Sequence, residues 1–303
     1  MYALWKGFQH VCFTLETHML KPFPQRVQAT LVFLEETIQW MNTERKKIEG
    51  ARLAARQWEL QQTFFRYNYR LQDAYEPFLF KGYAFSNPIS EITGLPRLKY
   101  HQDQPFEKEI NYYNRYAASD SIRVPKFIVI GGQCQEVLER LISNQVEMEV
   151  LQDEKTMDLS QCRIQSTENG DRTYEGHFLH QNTKVEWQNR SVTLKPGDCI
   201  IPMDQKNKRF ILSVLQPDAP DSYFAWNYFD SYLQQKEYFS PYVFEDMALE
   251  LLKKDPALQA ALKQRQEEDE DFKKSSWDQL YFIYTQSPYY EPSHNFIPIY
   301  YAW

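Results

Sequence analysis

Near the start of the chain the apolar residues fall into two different patterns. Val11-Cys12-Phe13-Thr14-Leu15 is a β-branched and apolar run that predicts a buried strand, and it leads directly into Glu16-Thr17-His18. Pro24 then suits the first turn of a helix. Val27, Leu31, Leu34, Ile38 and Met41 recur at spacings of four, three, four and three, which predicts a long helix with one apolar stripe. Gly50 is expected to end or bend it. A strand, a turn and a long helix at the very beginning have the look of the last βα unit of an α/β layer.

From about residue 60 to 120 the pattern is interrupted by Pro77, Pro88, Pro96 and Pro105, and short aromatic segments lie between them. Short strands and long loops are expected there. Lys126 to Ile130 predicts a buried strand, Gly131-Gly132 a turn, and Val137, Leu138, Leu141 and Ile142 a helix face. Alternation from Val146 to Leu151 predicts another strand, completing a βαβ unit. Antiparallel strands are expected over residues 160–215, including 191–194, 199–201 and 210–215, with Lys195-Pro196-Gly197-Asp198 as a turn. The last 80 or so residues return to helix, with Met247, Leu251 and Leu252 on one side of a first helix and Pro256 opening another. The acidic run Gln266 to Asp271 is expected to be a solvated helix face, and the tail from Ser287 to Tyr301 an irregular strap over the domain.

Composition narrows the function. A net charge of -7 argues against a nucleic-acid binder, because phosphate contacts need clustered Lys and Arg. With 21 Tyr, 20 Phe and 7 Trp against 9 Gly, the chain favours pleated, half-buried surfaces and broad contact areas. The cysteines Cys12, Cys134, Cys162 and Cys199 are scattered without a CxxC pair, so neither a disulfide framework nor a cysteine zinc site is expected. No secretory leader and no membrane span is expected. His177 and His180 form an HxxH pair, but Gly176 and the strand-rich surroundings argue against a helical metal site. Gly131-Gly132 lacks the spacing of a dinucleotide fingerprint, and Asn189-Arg190-Ser191 fits a glycosylation sequon of a kind that arises often by chance.

Glu16-Thr17-His18-Met19-Leu20-Lys21-Pro22-Phe23 with Arg26-Val27 resembles the final strand and helix of the catalytic domain in bacterial zinc carboxypeptidases of the carboxypeptidase A type. Three later segments resemble a C-terminal extension found with that domain: Ala219 to Asn227, Leu233 to Ser240, and Ser287-Pro288-Tyr289-Tyr290 with His294-Asn295. The resemblance implies that this is the C-terminal portion of such a bacterial protein, a fragment that belongs to the periplasm or the extracellular space. It implies a peptidase with peptide or protein substrates and with Glu16 as its general base. The family's zinc ligands, a His-x-x-Glu pair and a later His, lie upstream of the base, and none of the six histidines here is followed by Glu three residues on. Zinc is thus expected in a full-length parent and not in this chain.

That absence governs the chemistry. Glu near pKa 4.3 faces water at 15.7, a gap of about 11 units or about 15 kcal/mol, which zinc would reduce to about 3 units. The expected fold class is α+β, with a terminal βα unit over residues 1–50 and an accessory region over 51–303, β-rich in its middle and helical at its end. Two functions follow: an inactive remainder of a metallocarboxypeptidase that would hydrolyse C-terminal peptide bonds, or a non-enzymatic, aromatic-rich module that binds peptide, glycan or cell-wall material. Self-association through an exposed N-terminal strand is also expected, because unpaired strand edges template further pairing.

Overall fold

The computed structural model describes residues 12–303. It comprises helices and antiparallel sheets, an α+β class. Two units divide it, residues 62–124 and the remainder of the chain. The boundaries fall at 61/62 and 124/125, whereas Gly50 lies inside a helix.

The larger unit opens with residues 12–18 in irregular conformation, so the expected strand does not form over Cys12 to Glu16; Val11 lies outside the described residues. A strand needs a ladder partner, and none of the named strands pairs with these residues. Phe13 instead packs edge-on against Phe33 and Trp40, with ring centroids 5.9 and 6.3 Å apart. Those rings belong to helix α1 (Phe23–Thr43), which the apolar spacing foretold. The helix breaks at Glu44 and resumes as α2 (Arg45–Gln61), which runs on through Gly50. The end of α2 is anchored: Lys208 Nζ donates to the Leu60 carbonyl at 2.9 Å, and Arg209 lies 3.7 Å from the buried Glu59.

The body of this unit is a six-stranded sheet in the order β6-β9-β5-β10-β7-β8, with every neighbouring pair antiparallel. Its strands are β5 (Phe127–Ile130), β6 (Glu149–Val150), β7 (Lys155–Asn169), β8 (His180–Leu194), β9 (Cys199–Pro202) and β10 (Phe296–Ala302). The expected βαβ unit is present as β5, α3 (Gln135–Ser143) and β6, but β9 lies between its two strands and pairs with both. Gly132 is forced to be glycine, since a Cβ there would meet the Gly197 carbonyl oxygen at 2.5 Å. The 195–198 turn is fixed by Asp198, which accepts from the Lys195 and Gly132 amides.

Two expectations fail in the core. Residues 208–215 form helix α4 (Lys208–Leu215), not a strand. Seven of its eight residues are buried, so no exposed face marks the helical period and an apolar run of that length fits either form. The tail is no surface strap: β10 lies at the centre of the sheet between β5 and β7, with Ile297, Ile299 and Tyr301 fully buried. Four C-terminal helices, α5 (Pro241–Lys254), α6 (Pro256–Glu268), α7 (Glu270–Lys274) and α8 (Ser276–Thr285), pack around Phe244, Leu258, Leu262, Phe272, Leu280 and Ile283. The acidic run is cut by a helix cap, as Asp269 accepts from the amides of Asp271 and Phe272 at the start of α7.

The smaller unit is a ribbon. β1 (Phe64–Leu71) pairs with β4 (Tyr116–Arg123), and β2 (Glu76–Ser86) pairs with β3 (Lys99–Tyr112), both antiparallel. These strands are longer than the prolines suggested. Pro105 stands opposite Tyr83, where the register shifts, Pro77 opposite Asn111 near one end, and Pro96 in an isolated bridge to Ile89 near the other. Bulges and ends are where a ladder tolerates a missing N–H donor.

Candidate protein-interaction surface

Glu16 is exposed on the irregular segment, and His18 beside it accepts from the Leu20 amide through Nδ1 at 3.2 Å. His177 and His180 are separated in environment as well as in role. Tyr174 and His177 close a tight turn whose central residues, Glu175 and Gly176, have φ of 50° and 84°, and the His177 ring lies 5.5 Å from that of Trp226. His180 is buried. One ring nitrogen lies 2.7 Å from Asn169 Oδ1, the other lies 2.7 Å from Asp230 Oδ1, and the ring stacks on Phe224. Both nitrogens are engaged, so this ring is a clamp between β7, β8 and the loop at Asp230. Among the described residues no three His, Cys, Asp or Glu side chains gather closely enough to hold a metal ion.

The ribbon offers something else. Directly opposed residues of an antiparallel pair share a face, so the register puts Glu76 and Tyr112, Phe78 and Ile110, Phe80 and Lys108, and Gly82 and Phe106 on one side in four successive rows. Phe78 meets Tyr112 at 5.4 Å and Phe80 meets Phe106 at 6.2 Å. Gly82 makes room for those two rings, since a Cβ would come within 2.5 Å of Phe80 and 3.0 Å of Phe106. The opposite face carries Leu79 and Glu109 and the ion pair of Lys81 with Glu107 at 2.9 Å. The ribbon is thus amphipathic, with a contiguous aromatic face.

Among the described residues that face stays open to solvent. Phe78, Phe80, Phe106, Ile110 and Tyr112 are between 36% and 48% exposed, and neither β2 nor β3 contains a buried residue. Five such side chains leave roughly 400 Å² of apolar area in water, given 150–250 Å² for a whole aromatic side chain. A two-stranded ribbon cannot build a core by itself and is marginally stable alone.

Helix α1 repeats the theme. Its 21 residues include none that is buried, and the stripe Val27, Leu31, Leu34, Ile38 and Met41 is exposed along its length. Alternating steps of four and three residues are the spacing of a helix-to-helix seam. Phe13 occupies a different side of the helix, on Phe33 and Trp40. Sequence reasoning named this stripe but expected it to close a domain. It missed the ribbon face, although the alternation of Phe106, Lys108, Ile110 and Tyr112 with polar neighbours carried the signal.

One cavity merits comparison. A space of about 590 Å³ opens beside the start of α3, lined by Cys134, Arg140, His177, Trp226, Asn227 and Tyr228 among others. Arg140 lies over the Tyr228 ring at 4.5 Å. Burial pushes the Cys134 thiol up to about 11, which keeps it protonated and a poor nucleophile near neutral pH. Glu136 and His177 line the same space, and among the described residues the two are not paired. Compared with protein-family models, with curated proteins and with solved structures, the chain matches none.

Proposed function

We propose that this chain is a non-enzymatic assembly module, built to be completed by other protein chains along its ribbon and its first helix. The observation that carries the reading is the absence of any buried residue from α1, β2 and β3, elements that nonetheless carry regular apolar faces. A solvated helix or strand would place polar residues on its outward side. Here the outward side of α1 is a seam and that of the ribbon is aromatic. Helices and strands with such faces owe their stability to what they pack against.

The test is hydrogen exchange combined with mass measurement in solution. The module reading expects the chain to form multi-chain species, or as a free monomer to exchange residues 76–112 far faster than β5 and β10. A monodisperse monomer whose ribbon amides are as protected as the central strands would overturn it. The carboxypeptidase reading rests on the sequence resemblance, and release of C-terminal residues from model peptides by the zinc-supplemented chain is the measurement that would revive it.

A further inference from the structure

We infer that the aromatic face of the ribbon docks against the same face of a second copy of this chain, with the two-fold axis crossing the Phe78–Ile110 row. The inference rests on the assembly reading above and names its partner.

A two-fold interface requires a surface complementary to itself. The ribbon face meets that condition through its charges. Its four rows carry two charged side chains of opposite sign, Glu76 in the first row and Lys108 in the third. The row between them holds Phe78 and Ile110. Turning a second copy about an axis lying between the two faces and crossing that middle row lays its first row over the third row of its mate. Glu76 of each copy then stands over the row bearing Lys108 of the other, and the contact is made twice. Phe78 and Ile110 meet their own counterparts at the centre. Two rows separate the charges by about 13 Å along the strand, and facing sheets pack about 10 Å apart, a gap that the long Lys and Glu side chains can bridge.

Both charges are available for this. Among the described residues Lys108 has no carboxylate within ion-pair distance, in contrast to Lys81 on the opposite face, which is paired with Glu107. Glu76 accepts a hydrogen bond from Asn114 and has no cationic partner among the described residues. A face bearing charges of one sign would have pointed to a different chain with the opposite sign. Two copies remove roughly 800 Å² of apolar area in total, below the roughly 1,600 Å² of a standard interface, the size of a weak and transient association.

The experiment is sedimentation of the full chain between roughly 5 and 200 µM in low salt, with Glu76→Lys and Lys108→Glu made separately. Each variant carries like charges at both positions of its own face, so each is expected to self-associate at least 10-fold more weakly than the parent. Mixed in equal amounts, the two variants present Lys against Glu at both contacts and are expected to associate within about 3-fold of the parent. Both substitutions are at exposed sites, and recovery on mixing shows that each variant is folded. A parent dimer that neither substitution weakens, or a mixture that fails to recover, would overturn the inference. A monomeric parent would overturn it too, and exchange at residues 76–112 then separates the two levels of the argument. Fast exchange leaves the assembly reading standing with a different partner, whereas slow exchange removes both.

Discussion

The central sheet and the ribbon are both antiparallel and both rich in Ile, Phe and Tyr, yet they stand at opposite ends of self-sufficiency. In the sheet, β10 is sandwiched between β5 and β7, and its inward residues Ile297, Ile299 and Tyr301 are completely buried. In the ribbon, 25 residues of β2 and β3 contain none that is buried. The chemistry of the residues is similar. The difference is the number of neighbours the topology supplies, and in the proposed reading the neighbour that the ribbon face lacks among the described residues is another chain.

The largest effect should come from the sheet. Ile299→Ala removes buried methyl groups where collapse is prevented by strands on both sides, and should cost about 2–5 kcal/mol in denaturant unfolding. Phe80→Ser on the ribbon should cost the monomer less than about 0.5 kcal/mol while weakening association by 10-fold or more. Equal destabilisation by the two substitutions would erase the comparison.

Much of the helical half was legible beforehand, because Pro256 opens one helix and Met247, Leu251 and Leu252 mark one side of the helix before it, whereas the Asp269 cap inside the acidic run went unread. The 195–198 turn and the β5–α3 segment were equally readable from glycine placement. What escaped was decided by distant partners. Residues 210–215 are buried all round, so neither period shows. The last strand looked like a strap because its strand neighbours β5 and β7 lie more than a hundred residues upstream. Val11 to Leu15 looked like a strand because composition alone cannot supply the ladder partner that a strand needs. On the functional side, the apolar stripe of α1 was visible, whereas Glu16 as a base and zinc as its cofactor came from resemblance alone.

Smaller effects sharpen the picture. His180→Ala breaks a buried pair of hydrogen bonds linking Asn169 and Asp230 and should cost about 1–3 kcal/mol in thermal unfolding, without altering association. Loss of dimer in that variant would mean that the body and the ribbon are not independent. Alkylation at pH 8 should reach the exposed Cys12 first, with Cys134 slow because burial holds its thiol near 11 and Cys162 slower still. Least of all, Glu16→Gln, at an exposed site in irregular chain, should change stability by less than about 0.5 kcal/mol.

The central claim is that the ribbon is completed by another chain, and amide exchange of residues 76–112 followed across protein concentration tests it most directly. Protection in β2 and β3 should rise as the chain is concentrated from roughly 5 to 200 µM, in step with sedimenting mass, while β5 and β10 stay protected throughout. Ribbon amides that are strongly protected at the lowest concentration, in a species of monomer mass, would contradict it.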